Sequence, residues 1–375
     1  MKSLRKVRGF PRFLYVAVVV GLVSLVSLTF LGSATVGASS TKATFPDYVA
    51  STTSNDEPSP SVVTVTGHDF DYVYRINGVQ QTIRGVGYNP IYRHLSPEVR
   101  AQRYDRDFWL MREAGINTIS GWDQDKGYVQ DKFDELLLNK AEDWGIGVIM
   151  PYYLSPAADY TNLAYKQQVS EDVANWVRHF KDYPAIRMWG LGNEVLFVMP
   201  PNGYSEQQRA FAEFLVELAD MVHEIDPNHP VIYRESEDVY IPILRDAIAK
   251  DGVQRPWLVY GMNVYTFRIN EILANWQNNG LDIPIVVSEF APVGLQAEQR
   301  ADGYVEMWRV LRSYPSQVLG GLAYVWTTEG PEPVDRDFGL LDANDVAVDD
   351  SFNELADEFR QTEAADNLNQ PVASQ

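Results

Sequence analysis

The 375-residue sequence contains no cysteine. Disulfides, thiolate metal sites and a cysteine nucleophile are therefore excluded. Basic residues are scarce as well, since 31 Lys and Arg stand against 51 Asp and Glu and leave a net charge of −20. This balance argues against nucleic acid or anionic lipid as a partner, because phosphate groups need a basic surface. The 5 histidines show no metal-site spacing, and we expect neither a metal nor a cofactor.

Long apolar stretches are also absent, with one exception at residues 13–31. Basic residues precede this stretch, and the small residues GSATVGASS follow it. The order matches a signal peptide that ends at Ala38, yet the stretch has 19 residues and is also long enough to span a bilayer. We therefore expect residues 1–38 to be a signal peptide or an N-terminal membrane anchor. The protein is accordingly expected to be exported: secreted, periplasmic or held at the cell surface.

Composition divides the rest of the chain into three parts. Residues 39–61 are rich in Ser, Thr and Pro and are expected to form a flexible linker. Residues 62–362 contain the alternating apolar patterns of a folded domain, and residues 363–375 are expected to be a disordered tail. Near the start of the domain, Asn77-Gly78 separates two β-rich runs, which predicts a short β-hairpin with a two-residue turn.

Beyond residue 82, short β-rich runs alternate with longer helical patterns, with a repeat of about 34 residues. Eight such units are typical of a single (β/α)8 TIM barrel, in which helices cover a closed parallel sheet. A doubly wound open sheet is the rival, but the Gly-rich phosphate turn after its first strand is missing. We therefore predict an α/β fold: one TIM barrel preceded by the hairpin. The predicted strands span residues 82–88, 116–122, 147–153, 186–194, 231–236, 258–265, 283–290 and 319–326.

Two of the predicted strands end on glutamates. Glu194 closes the fourth strand in "MWGLGNEV", and Glu289 closes the seventh in "VVSEF", 95 residues or about three repeats later. Because the C-terminal ends of all strands of a TIM barrel meet at one mouth, where active sites lie, we expect these side chains to face each other. Two carboxylates in this position suit glycoside cleavage, in which one protonates the leaving oxygen and the other acts as base or nucleophile.

Other polar and aromatic residues are predicted near this pair. Tyr265 ends the sixth strand, where its hydroxyl is placed to hydrogen-bond Glu289 and keep it ionised. Arg84 on the first strand fits either support for the charge of Glu289 or an ion pair at the edge of the barrel. Trp326 at the end of the eighth strand fits a sugar-stacking face or an ordinary place in the core. Further candidates for sugar binding are Asn193, Trp122, Asp123, Tyr153 and Glu329.

Each acidic group also has a purely structural interpretation. Either glutamate alone fits a salt bridge to a loop Arg or Lys, and it is the pair, with Asn193 and Tyr265 in register, that favours catalysis. Residues 235–238, ESED, follow the fifth strand and could hold a cation or a sugar. For this stretch we expect a solvated acidic loop.

Several motifs together resemble a known group of enzymes. "GLGNEV" and "VVSEFAP" are similar to the acid/base and nucleophile motifs of the retaining clan A glycoside hydrolases. "RGVGYNP", "EAGINTI" and "GIGVIMP" resemble family 2 catalytic barrels and the family 72 β-1,3-glucanosyltransferases, over roughly residues 82–342. The resemblance implies Glu194 as acid/base, Glu289 as nucleophile and β-linked substrates. Related barrels often end strand 2 with an arginine or another sugar-binding group, and "NTISGWD" offers Ser120 and Trp122 there.

We therefore expect an exported retaining β-glycoside hydrolase or transglycosidase that acts on β-linked oligo- or polysaccharide by double displacement. A non-catalytic carbohydrate-binding barrel is the alternative, since a tether, an acidic surface and an aromatic mouth would serve it equally well. The presence of both Glu194 and Glu289 argues against a decayed site. An aldolase or phosphate-dependent lyase is disfavoured, because no lysine ends a strand and no Gly-rich loop follows strands 7 and 8.

Overall fold

A computed structural model of the protein describes residues 59–122, 133–199 and 205–368. The first elements form a three-stranded antiparallel sheet in chain order: β1 (Val63–His68), β2 (Asp71–Ile76) and β3 (Val79–Gln80). Asn77 and Gly78, with φ of 50° and 81°, form the turn between β2 and β3. A turn with positive φ at both residues suits Asn-Gly, and the predicted hairpin is confirmed.

Eight parallel strands follow and close into a barrel. They are β4 (Ile83–Gly87), β5 (Thr118–Ser120), β6 (Gly147–Tyr152), β7 (Ile186–Asn193), β8 (Val231–Ser236), β9 (Leu258–Val264), β10 (Ile285–Phe290) and β11 (Val318–Ala323). Every residue of β4, β8, β9, β10 and β11 is buried, as expected for parallel strands covered by helices. β11 pairs with β4 and closes the ring, so the predicted TIM barrel is confirmed.

Helices connect the barrel strands, and local sequence sets where several of them begin. The helices are α1 (Pro97–Glu113), α2 (Glu135–Asp143), α3 (Leu163–Phe180), α4 (Val195–Val198), α5 (Glu206–Ile225), α6 (Ile241–Ile248), α7 (Ile269–Ala274), α8 (Ala297–Arg312), α9 (Asp335–Phe338) and α10 (Ser351–Leu368). Ser205 starts α5 in a capping box with Gln208, and the side chain of Asn162 caps α3. These caps satisfy backbone N–H groups where the chain enters a covering helix.

The small N-terminal sheet closes one end of the barrel. Buried and exposed residues alternate in β1, so Val63 and Val65 point inwards. With Tyr72 and Tyr74 of β2 they form one apolar cluster with side chains of the barrel strands. The barrel members of the cluster are Ile83, Ile149, Met188, Ile232, Val259, Val286, Leu319 and Leu322. Most of these lie near the starts of their strands, so the N-terminal end of the barrel is filled with apolar side chains.

Two predicted boundaries differ from the structure. Ser61, in the predicted linker, is buried, and its hydroxyl oxygen lies 3.0 Å from Nε2 of His229. The folded domain therefore begins before residue 62. The predicted disordered tail is wrong for residues 363–368, because α10 continues to Leu368. The carboxylate of Asp366 accepts hydrogen bonds from the residue before β4, which ties the last turn of α10 to the barrel.

In residues 59–122, 133–199 and 205–368 there is no helix with the length and apolarity needed to cross a membrane. The predicted export segment, residues 1–38, lies outside these ranges, as does most of the predicted linker. Export of the protein is therefore untested by the fold and stays a prediction.

Candidate active site

Glu194 lies directly after the C-terminal end of β7 in an unusual backbone conformation. Its φ is 50°, in the left-handed region, and Gly192, two residues earlier, has a φ of 73°. The short helix α4 starts immediately afterwards, and the backbone N–H of Leu196 donates to the carboxylate of Glu235 at 3.0 Å. A left-handed conformation is unfavourable for a residue with a Cβ, and it persists only where the surrounding contacts impose it. The fold therefore holds the Glu194 side chain in a defined place at the barrel mouth.

Glu289 lies in β10, three strands further round the barrel, and its side chain is almost completely buried. Two donors hold its carboxylate: the indole Nε1 of Trp122 donates at 2.7 Å, and the hydroxyl of Tyr265 donates to the other oxygen. Such hydrogen bonds favour the charged form of a carboxyl. The contact predicted between Tyr265 and Glu289 is confirmed. Trp122, predicted only as a flanking residue, contacts the carboxylate itself.

Asn263 of β9 joins the two glutamates and was not among the residues predicted from the sequence. Its Nδ2 donates at 3.1 Å both to Oε1 of Glu194 and to Oδ1 of Asn193, while its Oδ1 accepts from Ser288 at 2.7 Å. Asn263 is also paired in register with Glu289 on the neighbouring strand. Both glutamates therefore lie beside the same amide. The signal available in the sequence was an amide close to the end of the buried run "LVYGMNVY".

Burial and mutual repulsion give the two glutamates different acidities. Burial, followed by the negative charges of Glu289 and Glu235, raises the pKa of Glu194 to about 8. Burial also raises the pKa of Glu289, but hydrogen bonds from its two donors and the charge of Arg234 act in the opposite direction. At neutral pH this arrangement favours a proton on Glu194 and a negative charge on Glu289.

Glu235 is a third carboxylate at the site, and it is completely buried. The solvated acidic loop expected at residues 235–238 is wrong, because Glu235, Ser236 and Glu237 are buried. Glu235 accepts hydrogen bonds from the backbone N–H groups of Leu196 at 3.0 Å and Ser236 at 2.8 Å, which fixes the chain just after Glu194. Burial raises the pKa of Glu235 to about 7. The prediction failed because charged residues are rarely buried, and only the tertiary fold supplies these donors.

Arg234 of β8 is a buried cation at the site, and it too was missed from the sequence. Its side chain is 1% exposed, and Nη1 donates to Oγ of Ser120 at 3.0 Å and to the carbonyl of Gly121 at 2.7 Å. Ser120, a possible sugar-binding group from the sequence, is thus engaged by an arginine. Burial lowers the pKa of Arg234 to about 10, although the charges of both catalytic candidates oppose this shift. The guanidinium therefore stays positive at neutral pH.

Tyr324 is the aromatic residue that follows the eighth barrel strand at the site. Its ring lies edge-on to the rings of Trp122 and Tyr265, with centroid distances of 5.6 Å in both cases. Its hydroxyl donates to Asp335 of α9 at 2.7 Å. The three aromatic side chains therefore form one cluster around the carboxylate of Glu289, and Asp335 anchors that cluster from the loop side.

Two predicted site residues lie elsewhere. Arg84 is near the start of β4, at the N-terminal end of the barrel, where its guanidinium pairs with Glu363 and Asp366 at 3.1 Å each. The prediction that it supports a catalytic carboxylate is wrong, and the alternative prediction of an ion pair at the barrel edge is confirmed. Trp326 is 1% exposed and packs against Phe352 of α10. The sugar-stacking prediction is wrong, because β11 ends three residues earlier and Trp326 turns into the core.

The remaining candidates keep their predicted sugar-binding roles as predictions. Asp123 lies outside the described residues. Tyr153 follows β6 and is half-buried, while Glu329 is exposed in the loop after β11. In the part of the chain that the structure describes, no cluster of three or more His, Asp or Glu side chains is arranged to hold a metal ion.

Residues 70–327 match the model of "Glycosyl hydrolases family 2, TIM barrel domain". This range covers more than half of the chain and includes Glu194, Asn263 and Glu289. The chain belongs to glycosyl hydrolase family 2. The resemblance to family 72 is not part of this match.

Relatives of this family 2 chain are longer proteins. The β-glucuronidase of Felis catus is 24% identical over 242 residues, which make up 61% of this chain and 33% of the relative. The β-galactosidase of Lactococcus lactis is 22% identical over 262 residues, 68% of this chain and 23% of the relative. This chain therefore spans a third or less of the length of these curated relatives.

Solved structures share the fold. The β-glucuronidase of Bifidobacterium dentium, complexed with coumarin-3-O-glucuronide, superposes with a TM-score of 0.59 at 17% identity, covering 80% of this chain and 49% of its own. The β-galacturonidase of Eisenbergiella tayi gives a TM-score of 0.57 at 17% identity, covering 80% and 54%. At this level of identity the likeness shows the barrel fold.

Proposed function

We propose that this family 2 protein is a retaining β-glycoside hydrolase with Glu289 as nucleophile and Glu194 as acid/base. One observation carries the proposal: the two carboxyls have unequal surroundings. Glu289 accepts two side-chain hydrogen bonds that favour its charged form, whereas Glu194 faces two other carboxylates and has a pKa of about 8. A charged nucleophile and a protonated acid are the two states that the first step of a retaining glycosidase needs.

The proposed reaction consists of two displacements. The carboxylate of Glu289 attacks the anomeric carbon and forms a glycosyl ester, while Glu194 gives its proton to the departing oxygen. Glu194, now ionised, takes a proton from water, and the water oxygen displaces Glu289 from the sugar. Transfer to an acceptor sugar instead of water uses the same first displacement, so the expected hydrolase and transglycosidase activities differ only in the second.

The proposed substrate is a β-linked oligo- or polysaccharide or another β-glycoside. The similar proteins are named as β-glucuronidases, a β-galactosidase and a β-galacturonidase. Both uronic acids and neutral hexoses therefore belong in the first panel of substrates. The acidic mouth, where Glu194, Glu235 and Glu289 lie close together, makes the comparison between charged and neutral sugars informative.

The deciding experiment is intact-protein mass spectrometry of the full chain with 2-fluoro-glycosyl fluorides. The panel contains the glucuronyl, galacturonyl, galactosyl and glucosyl probes, because fluorine slows the second displacement and traps the glycosyl ester. We expect a single adduct on the wild-type protein that peptide mapping places on Glu289. The adduct should be absent in Glu289→Gln and retained in Glu363→Gln, a matched change at the other end of the barrel.

Three results would contradict the proposal. An adduct on another residue would reassign the nucleophile, and α-configured product from a β-glycoside, seen by proton NMR, would replace retention by inversion. Oligosaccharide binding by calorimetry, with neither adduct nor product from any sugar of the panel, would favour the non-catalytic carbohydrate-binding barrel. Product masses in the presence of acceptor sugars then separate hydrolysis from transfer.

We also propose that the protein is exported. The support is in the sequence, where five basic residues precede the apolar stretch 13–31 and small residues follow it up to Ala38. After expression of the full chain, N-terminal sequencing and fractionation distinguish cleavage after Ala38 from retention in the membrane fraction. An uncleaved chain recovered in the cytosolic fraction would contradict export.

A further inference from the structure

We propose that Arg234 is a positioning residue for the nucleophile: a guanidinium fixed across the barrel interior that keeps Glu289 ionised inside a buried, acidic site. The inference rests on the proposed function, because it assigns a task within the same site. Neither the sequence motifs nor the comparisons with relatives point to this residue. Its placement in the barrel carries the argument.

Arg234 bridges the barrel from β8 to the ends of β5 and β7. Nη1 donates to Oγ of Ser120 at 3.0 Å and to the carbonyl of Gly121 at 2.7 Å, and Nε donates to the carbonyl of Gly192 at 3.4 Å. All three acceptors are neutral oxygen atoms. The guanidinium is therefore held in a fixed place while its positive charge remains available to act on carboxylates through space.

One donor of this guanidinium is unmet. Nη2 of Arg234 is buried and has no hydrogen-bond partner within residues 59–122, 133–199 and 205–368. Arg84, also buried on a barrel strand, bonds through Nε, Nη1 and Nη2 to the carbonyl of Gly115 and to two carboxylates. Arg84 is therefore neutralised by direct contact with carboxylates, whereas the hydrogen bonds of Arg234 go to neutral oxygens and leave its charge to act on the glutamates.

Titratable groups face the nucleophile from several elements. The acidic ones are Glu194 after β7, Glu235 on β8 and Asp335 on α9, which add negative potential at the glutamate pair. The phenols Tyr265 and Tyr324 follow β9 and β11, and burial raises the pKa of both well above 10, so that they stay neutral donors. In this setting a second negative charge is unfavourable without a nearby cation.

Arg234 supplies that cation. Its charge lowers the pKa of both Glu194 and Glu289. Because Glu289 also accepts two hydrogen bonds, whereas Glu194 faces Glu235, the single negative charge is favoured on Glu289. Removal of Arg234 should therefore raise the pKa of Glu289, so that at acid pH a smaller fraction of the protein has an ionised nucleophile.

The test is a titration that does not depend on turnover. The full chain is labelled with glutamate carrying ¹³C at the side-chain carboxyl, and Glu289→Gln assigns the signal of Glu289. In Arg234→Gln we expect the Glu289 midpoint to rise by about one pH unit or more. Arg234→Lys, which keeps the charge, should recover at least half of that shift. Arg84→Met is the matched control for a buried arginine, and its midpoint should equal that of the wild-type protein.

Activity supplies a second readout. The acidic limb of kcat/KM should move to higher pH in Arg234→Gln in parallel with the titration, while kcat/KM on the plateau changes less. An unmoved Glu289 midpoint in folded Arg234→Gln, or no recovery in Arg234→Lys, would overturn the proposal and leave Arg234 a structural residue. If Arg234→Gln does not fold, Arg234→Met takes its place. A protein that turns over no β-glycoside would refute the proposed function, whereas the titration still decides the role of Arg234.

Discussion

Arg84 and Arg234 are both buried on barrel strands, but they lie at opposite ends of the barrel. Arg84, at the N-terminal end, is neutralised by contact with Glu363 and Asp366. Arg234, at the C-terminal end, bonds to neutral oxygens and acts on Glu289 through space. The same side chain thus joins an ion pair at one end and tunes an acid at the other.

The two ends of the barrel differ more widely than in these two arginines. The N-terminal end is filled by the apolar cluster of the small sheet, and Arg84 at this end is paired with two carboxylates. The C-terminal end brings the partly buried Glu194 together with the buried Glu235 and Glu289, and desolvation raises the pKa of all three. The side chains at the N-terminal end are arranged as expected for a stable fold, whereas the C-terminal end places carboxylates close to one another at a cost in stability. Such a local sacrifice of stability is typical of a functional site. The contrast supports the proposal that the C-terminal end of the barrel is the active one.

The largest expected effect is the loss of turnover from the C-terminal end. Glu289→Gln removes the proposed nucleophile and should lower kcat by about 10⁴-fold or more on an aryl β-glycoside. Arg84→Met, at the other end, should keep kcat within about twofold for the folded fraction, because distant sites act independently. Steady-state kinetics with active-site titration checks both values. Comparable losses in the two variants would break the distinction between the ends.

Although Arg84→Met should hardly change kcat, it should lower the stability of the protein. Arg84→Met leaves Glu363 and Asp366 without their partner, and because both carboxylates reach solvent we expect a loss of roughly 1–3 kcal/mol in the free energy of unfolding. Urea unfolding measures this change. The control is a protein that already carries Glu363→Gln and Asp366→Asn. In that protein, Arg84→Met should lower the free energy of unfolding by less. An equal cost in that background would show that ion pairing is not the cause.

Glu235, at the C-terminal end, should lower the stability of the folded protein as the pH rises. Its folded pKa of about 7 lies above its ordinary value of 4.5, so the folded protein retains a proton that the unfolded chain releases. This contribution to stability is complete below about pH 4 and is lost as the pH rises to about 7. As the pH rises from 5 to 8, the free energy of unfolding of Glu235→Gln should therefore increase by roughly 2–3 kcal/mol relative to that of the wild-type protein. Urea unfolding across this range, with Glu363→Gln as the matched substitution at the other end of the barrel, checks the sign.

The smallest expected effect concerns the alkaline limb of the pH profile of kcat/KM. The proposed mechanism requires a protonated Glu194, and its pKa is about 8, so kcat/KM should fall above about pH 8. Glu235→Gln removes one of the two negative charges that raise this pKa, so the limb should move to lower pH by about half a unit. The pH profile of kcat/KM measures the shift. A limb that moves to higher pH would contradict the electrostatic role of Glu235.

The barrel and the positions of the two glutamates were predictable from the sequence. Short apolar runs at a regular β/α spacing define eight strands, and the observed strands agree with them to within a few residues. Because parallel strands place all their C-terminal ends at one mouth, a residue that ends a run is located by counting. The same reasoning places Tyr265 beside Glu289, where the structure shows its hydrogen bond.

The errors come from side-chain direction and strand boundaries. Trp326 was expected at a strand end, but β11 stops at Ala323, so Tyr324 takes the place at the site and Trp326 turns into the core. Arg84 is the second residue of β4, close to the end that the small sheet closes. A shift of one to three residues along a strand changes the face or the end of the barrel that a side chain reaches.

The sequence by itself therefore determined the barrel and the place of the two glutamates at its C-terminal end, because hydrophobic spacing is a local property of the chain. The tertiary structure alone decided which charges are paired and which are not. Arg234 reaches Ser120 across 114 positions of sequence, and Trp122 reaches Glu289 across 167. Electrostatic interactions act through space, so the protonation states at the mouth depend on neighbours that only the closed barrel brings together.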